Sequence, residues 1–369
     1  MHDDPRAFNV HLTNIVGAGA VQLVASLLPA LERAHSGRVE HLHLPDRGPL
    51  ADYRRSTSGP APRPYRRVLP NALSRLVECL WLGRRFRGAA PLLVLGDLPL
   101  RGAGPQAVFV HTLHLAQGDR SGTRFGGLKY RIARAIFRLG APDAQAFIVQ
   151  TPTMAAAMLE TYPQLQGRLH VVPQPPPAWL LASGLRRTGR RRATRDAGLS
   201  LVYPAAPYPH KNHGLLSQVG QVPGPWPVER LTLTVPVSAN PNPAVPWIRC
   251  VGPLEPQAVL DAYREADALL FLSNAESYGL PLVEAMWAGL PIVCPDLPYA
   301  RSLCGPQALY FEPDDIGSLR RALDELRARL HHGWWPDWSE RLATIPPHWD
   351  SVAQAMLRIL FDATAAPRP

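Results

Sequence analysis

Lysine is almost missing from this 369-residue chain: Lys129 and Lys211 are the only two, so nearly all of its 39 cationic side chains are arginine. A GC-rich coding sequence accounts for such a bias, and it makes each surviving lysine a candidate for a specific role. No apolar run reaches the ~18 residues a spanning helix needs, so no membrane span is expected. The first ten residues, MHDDPRAFNV, lack the basic-then-apolar order of a secretory leader. The four cysteines, Cys79, Cys250, Cys294 and Cys304, show no C-x-x-C spacing. Reduced structural thiols and a cytoplasmic setting are therefore expected. Short-period repeats are absent too.

What is present describes a globular chain. Hydrophobic residues make up 46% and charged residues 18% of it, and 41 prolines predict stiff loops and sharp element boundaries. The length suits two domains, each with its own core. Strand-length apolar runs alternate with helical patterns, the βαβ signature of parallel α/β sheets. In the first half the runs are AFNVHLT, VEHLHL, PLLVL, QAVFV, AFIVQ and LHVVP; in the second they are LSLVYP, RLTLTV, WIRCV, DALLFL, LPIVC and ALYF. We expect a first domain over 1–175, a Pro/Arg-rich linker over 176–198, a second domain over 199–346 and a helix with a frayed tail over 347–369. In the last helix Asp350 or Ser351 is placed to cap the N-terminus. The formal charge of +10 points to an anionic partner. The linker holds Arg186, Arg187, Arg190, Arg191, Arg192 and Arg195, but without interleaved aromatics it reads as solvated, and no nucleic acid is expected.

In doubly wound sheets, ligands sit outside the carboxyl ends of the strands. Past the run DALLFL lies AESYGLPLVEA, with Glu276 in the loop and Glu284 eight positions on, in the first turn of a helix opened by Pro281. The amides of Gly279 and Leu280 have no intrahelical acceptor there and point into the crevice. Carboxylates beside free amides suit a polyol, whose hydroxyls both donate and accept. Lys211 follows the first strand of the second half, where an ammonium and a helix N-terminus would meet a diphosphate.

In the first half, Gly17 and Gly19 lie between a strand and a helix. A dinucleotide fingerprint requires a third glycine at position 22, where Gln22 stands. Asp46, after the second strand, keeps a nicotinamide-dependent oxidoreductase as the rival reading. His111 ends the strand QAVFV and is placed to donate to a substrate; His114 follows three residues later. The stretch 124–140 reads as a basic amphipathic helix with Phe125, Leu128, Ile132, Ile136 and Leu139 on one stripe and Arg124, Lys129, Arg131, Arg134 and Arg138 off it. Such a helix covers a sheet with its basic face in solvent, or lies on an anionic membrane.

The segment ESYGLPLVEAMWAGLP, with PIVCPD and ALYFEPDD after it, resembles the E-x7-E region of the retaining nucleotide-sugar glycosyltransferases of family 4 (group 1). The resemblance implies a GT-B fold, with two Rossmann-like doubly wound domains facing each other across a cleft. It implies transfer of a hexose from a nucleoside diphosphate sugar to a glycan or glycolipid hydroxyl, in cell-surface polysaccharide or glycoconjugate synthesis. Glu276 would contact the transferred sugar with help from the Gly279 and Leu280 amides, and Glu284 would hold the ribose. PYPHKN resembles the family's diphosphate-binding lysine segment, which brings in Lys211 and Asn212. Ser277 and Tyr278, on the Glu276 loop, join the donor-binding set, as do Gly17 and Gly19 from the first half. A histidine in the first domain is a family feature that His111 would supply. The arginine that many members carry before the lysine is replaced here by Ala205 and Ala206, and His210 or His213 is left to compensate. With no D-x-D motif, neither a metal nor any other cofactor is expected. A peripheral site on the inner face of the cell membrane follows if the acceptor is lipid-linked. A non-catalytic GT-B scaffold is the third reading.

Overall fold

The computed structural model describes residues 6–13, 15, 17–34, 37–55, 60–66, 71–116, 127–190 and 198–365. Arg191, Arg192 and Arg195 of the linker, and Arg124 and Phe125 of the basic helix, lie outside the described residues.

The chain divides into two compact units: residues 1–175 with 346–369, and residues 176–345. Unit 1 holds β1 (Arg6–His11), β2 (Gly37–Pro45), β3 (Arg63–Tyr65), β4 (Leu92–Val94), β5 (Gln106–Phe109), β6 (Ala146–Val149) and β7 (Leu169–Val171). They form one sheet in the order β3-β2-β1-β4-β5-β6-β7, with every pair parallel. Its helices are α1 (Ala18–Arg33), α2 (Asn71–Leu80), α3 (Leu113–Ala116), α4 (Leu128–Gly140) and α5 (Pro152–Thr161). Unit 2 begins with α6 (Ala178–Ser183) and holds β8 (Leu199–Tyr203), β9 (Val228–Leu233), β10 (Ile248–Cys250), β11 (Ala268–Leu270), β12 (Ile292–Pro295) and β13 (Leu309–Phe311). These run parallel in the order β10-β9-β8-β11-β12-β13. The helices of unit 2 are α7 (Pro256–Glu265), α8 (Leu280–Ala288), α9 (Pro298–Cys304), α10 (Ile316–His331) and α11 (Ser339–Leu342); α12 (Trp349–Ala365) returns to unit 1. Strand order reverses between β1 and β4 in one unit, and between β8 and β11 in the other. Each unit therefore has a switch point at the carboxyl edge of its sheet.

The elements follow from local chemistry. Central strands such as AFIV and IVCP are apolar throughout because helices cover both faces, and every residue in them is buried. Thr151 caps α5 by accepting the Met154 amide at 3.0 Å, with Pro152 at the first position, and Asp315 caps α10 through the Ser318 amide at 2.9 Å. In α12 the expected caps are not used. The helix starts at Trp349, so Asp350 lies inside it and pairs with Arg33 of α1 at 3.0 Å, while Ser351 bonds His348. Phe361 of α12 meets the Phe8 ring of β1 edge-on at 6.2 Å.

Two sequence expectations are corrected. Of the linker arginines that can be described, Arg186 is exposed as expected, but Arg187 and Arg190 are not free in solvent. The Arg187 guanidinium donates to the carbonyls of Tyr263, Arg264 and Ala266 at the end of α7, and Arg190 pairs with Asp267 at 3.0 Å. The face of α4 is corrected in part: Ile136 is buried and Lys129, Arg131 and Arg138 are exposed as expected, but other positions trade places. Arg134 is 1% exposed and donates to the His114 carbonyl, whereas Leu128, Ile132 and Leu139 stand in solvent. All four cysteines are free, and Cys79, Cys294 and Cys304 are buried.

Candidate functional site

Unit 2 gathers its polar side chains at the carboxyl ends of β8, β11 and β13. After β8 the chain makes one 3₁₀ turn, Pro209–Lys211, and Asn212 then adopts a left-handed conformation at φ 54°. A 3₁₀ run, His213–Gln221, follows in place of the expected α-helix. The Tyr203 hydroxyl donates to the Lys211 carbonyl at 2.8 Å and fixes the turn from below. The Lys211 ammonium reaches across to the β11 loop and donates to Glu276 Oε1 at 2.5 Å; both side chains are largely buried. Residues 65 positions apart thus form one charged centre at the switch point.

A second layer ties these loops together. Asp314, itself left-handed at φ 60°, accepts from Asn212 Nδ2 at 3.0 Å and from Asn274 Nδ2 at 2.8 Å. The Asn274 amide and the Ser273 hydroxyl both donate to the His210 carbonyl, and the Tyr299 hydroxyl holds the Ser273 carbonyl. Asn274 and Asp314 were not singled out from sequence. Their only signal was position, each just past a strand's carboxyl end. Gly279 sits at φ 90° as the N-cap of α8, a backbone region that disfavours any side chain. Among the described residues, neither its amide nor that of Leu280 has an acceptor.

The other expected members differ in burial and partners. Glu284 is in the second turn of α8, since the helix begins at Leu280 and not later. Its side chain turns inward, 4% exposed, and accepts the Tyr263 hydroxyl at 2.6 Å. Burial pushes its carboxyl up to about 7 against the counter-effect of that bond. The Tyr278 ring belongs to the apolar core of unit 2, while Ser277 is half-buried on the Glu276 loop. His213 stacks on Tyr203 at 5.0 Å, and burial holds it down to about 4, so it is neutral and supplies no second cation. His210 stacks flat on the half-exposed Tyr208 ring at 5.7 Å.

Unit 1 builds a second constellation at its own switch point. His111 follows β5, and its amide and that of Thr112 donate to Asp97 Oδ1 at 2.8 and 3.1 Å. Asp97, past β4, is buried at φ 67°, a left-handed position uncommon for a residue with a side chain. Its other oxygen lies 3.6 Å from His111 Nε2 and 3.8 Å from Arg75 Nη2. Sequence reading passed over Asp97, although an acid directly beyond PLLVL carries the same strand-end signal as Glu276. His114 packs at a tilt against Tyr130, ring centroids 5.0 Å apart, and is held down to about 4 by burial, which makes it a neutral packing residue. Gly17 is the extended N-cap of α1, and a Cβ at Gly17 or Gly19 would meet nothing within 4 Å. The packing therefore does not require glycine at either place. Asp46 pairs loosely with Arg47 at 3.8 Å. Among the described residues no group of three or more His, Cys, Asp or Glu is arranged to hold a metal ion, and no helix is long and apolar enough to cross a membrane.

Residues 248–328 match the family model for glycosyl transferases group 1, a stretch that includes Glu276 and Glu284 but neither Lys211 nor His111. The serotype-specific mannosyltransferase WbdA of Escherichia coli is 25% identical over 135 residues, 37% of this chain and 16% of that protein. The O-antigen chain mannosyltransferase RfbU of Salmonella typhimurium is 34% identical over 64 residues, 17% of this chain and 18% of its own length. The chain thus spans less than a fifth of the curated relatives it matches. The sucrose-phosphate synthase of Thermosynechococcus elongatus superposes over 98% of this chain and all of its own, with a TM-score of 0.65 at 15% identity. In fold along its length, and in sequence over residues 248–328, the protein is similar to the group 1 glycosyltransferases of the GT-B type.

Proposed function

We propose that the protein is a retaining, family 4 glycosyltransferase that moves a hexose from a nucleoside diphosphate sugar to the hydroxyl of a glycan or glycolipid. The observation that carries this reading is the Lys211–Glu276 pair beside the unpaired amides of Gly279 and Leu280. A cation and free N–H donors fit a diphosphate, and a carboxylate among them fits the hydroxyls of the attached sugar. The matched mannosyltransferases support a glycan acceptor and a role in polysaccharide assembly.

The anomeric C–O bond to the diphosphate breaks and its electron pair leaves with the phosphate oxygen. The acceptor oxygen bonds to the anomeric carbon from the same face and passes its proton to that phosphate oxygen. Lys211 and the two amides stabilise the developing negative charge, while Glu276 orients the sugar. In unit 1, His111 is the group we assign to the acceptor or sugar hydroxyls, and Gly17 and Gly19 leave room for close approach of the substrate. Tyr263 takes Oε2 of Glu284, so the ribose contact in this reading falls to Oε1. Ser277 and Asn212 remain donor-side residues in this reading, and no metal or cofactor is part of it.

A panel of nucleoside diphosphate sugars tests the proposal by thermal shift and by release of nucleoside diphosphate. A binding donor raises the apparent stability by mass action and is consumed when acceptor is added. No stabilisation by any donor, together with no release or transfer, sinks the reading and leaves a scaffold.

A further inference from the structure

We propose that Asp314 is a positioning residue for the donor site of unit 2. Its carboxylate clasps the Lys211 turn to the Glu276 loop and keeps the two in register when substrate separates their ion pair. The inference rests on the functional reading above, in which Lys211 turns to a diphosphate and Glu276 to the sugar. Between those two side chains the tie is the ion pair itself. A bound diphosphate competes for the ammonium and sugar hydroxyls compete for the carboxylate, so this tie weakens at the moment both groups must be in place.

A second tie stands beside it. Asp314 Oδ1 accepts from Asn212 Nδ2 at 3.0 Å and from Asn274 Nδ2 at 2.8 Å. Asn212 directly follows Lys211, and Asn274 precedes Glu276 by two residues. One carboxylate oxygen therefore holds both loops, and it does so without using the Lys211 ammonium or the Glu276 carboxylate. The two amides also face each other, with Asn212 Nδ2 at 3.4 Å from Asn274 Oδ1. The backbone amide of Asn274 donates to the His210 carbonyl at 2.8 Å, so its main chain and side chain hold the same turn.

Folding of the junction between β13 and α10 does not account for Asp314. Its φ of 60° lies in the left-handed region, where glycine is relaxed and a side chain is disfavoured. The junction is made by its neighbours. Asp315 accepts the Ser318 amide at 2.9 Å, the Ser318 hydroxyl accepts the Glu312 amide at 3.0 Å, and the Asp315 amide donates to the Glu312 carbonyl at 3.2 Å. None of these bonds uses the Asp314 side chain, which is exposed. An acid on a backbone that favours glycine thus acts on the two loops and on nothing that α10 needs.

Two variants of the full chain test this. Asp314→Gly removes the clasp and relaxes the backbone, whereas Asp314→Asn keeps an acceptor oxygen and tolerates the left-handed conformation. Without substrate, Asp314→Gly should quicken hydrogen exchange at the bonded amides of Lys211, Asn212 and Asn274, while its melting temperature stays near that of the wild type. With a donor that the protein turns over, kcat of Asp314→Gly should fall about tenfold at an unchanged acceptor KM, and Asp314→Asn should recover most of the loss. Adding Asn274→Ala to Asp314→Gly should lower kcat little further, since both changes remove the same bond. Unchanged exchange overturns the clasp. Faster exchange at wild-type kcat overturns its part in turnover, and Asp314→Asn as slow as Asp314→Gly overturns bridging in favour of a direct effect of the charge. A melting temperature that falls along with kcat makes Asp314 a folding residue only. A wild type that turns over no donor fails the functional reading instead, and the exchange comparison still decides the clasp.

Discussion

At the scale of single residues, the centre of unit 2 is a cation already holding a partner. Lys211 is bonded to Glu276 before any substrate arrives, so its ammonium stays in place at the end of β8. Lys211→Ala should lower turnover by roughly 10²–10³, the range for removing one charge-stabilising donor. Near-normal turnover in a steady-state assay would take the lysine out of the mechanism. Asp97 belongs to the same scale in unit 1. Asn at 97 keeps an oxygen for the His111 and Thr112 amides and tolerates a left-handed backbone, but removes the charge facing His111 and Arg75. Asp97→Asn should therefore lower kcat roughly tenfold, equivalent to about 1.4 kcal/mol, with KM for the donor little changed. A larger change in KM than in kcat, or a collapse of the melting temperature, would make Asp97 a folding residue only.

At the scale of elements, α8 is bounded by two glycines that the backbone demands. Gly289 closes it at φ 74°, and a Cβ there would stand 2.2 Å from the Arg187 carbonyl of the segment crossing over it. Gly289→Ala should cost about 2–5 kcal/mol in urea unfolding, the left-handed penalty plus overpacking. A variant as stable as the wild type would show that the crossing segment is free to move away. Twelve strands were legible as apolar runs, from the central ones packed on both sides to the partly exposed edges β7 and β10. β3 was not, because Arg63–Tyr65 is a short, partly exposed edge strand with proline in it. The face of α4 was misread for a different reason. Its sequence carries apolar residues on two sides, and periodicity cannot tell which side a buried guanidinium will join when a carbonyl such as that of His114 awaits it. Lys211 and Glu276 were foreseen at one strand edge by the rule for parallel sheets. The inward turn of Glu284 was not, since its partner Tyr263 comes from a different helix.

For the molecule as a whole, buried titratable groups divide unequally between the units. Burial holds His43 and His114 of unit 1, and His213 of unit 2, down to about 4 from an ordinary 6.5. Over that window the unfolded chain takes up protons that the folded chain refuses, so their contribution to stability is lost as pH falls. Glu284 runs the opposite way. Its carboxyl, raised from 4.5 to about 7, keeps a proton the unfolded chain gives up, so its contribution is lost as pH rises. In unit 2 Glu284 offsets His213, whereas in unit 1 His43 and His114 act in the same direction. Acidification from about 6.5 towards 4.5 should therefore open unit 1 first, read by hydrogen exchange and mass spectrometry. Glu284→Gln should make unit 2 acid-sensitive as well. Earlier opening of unit 2 in the unmodified protein would contradict this account.

The return of α12 bears on how the protein is made. Residues 346–369 complete unit 1, yet they leave the ribosome only after every residue of unit 2. Until they do, Phe8 lacks the ring of Phe361, Arg33 lacks Asp350, and the side of α1 meant for α12 is uncovered. The half translated first is thus the half that matures last, and until then its apolar seam for α12 stays uncovered.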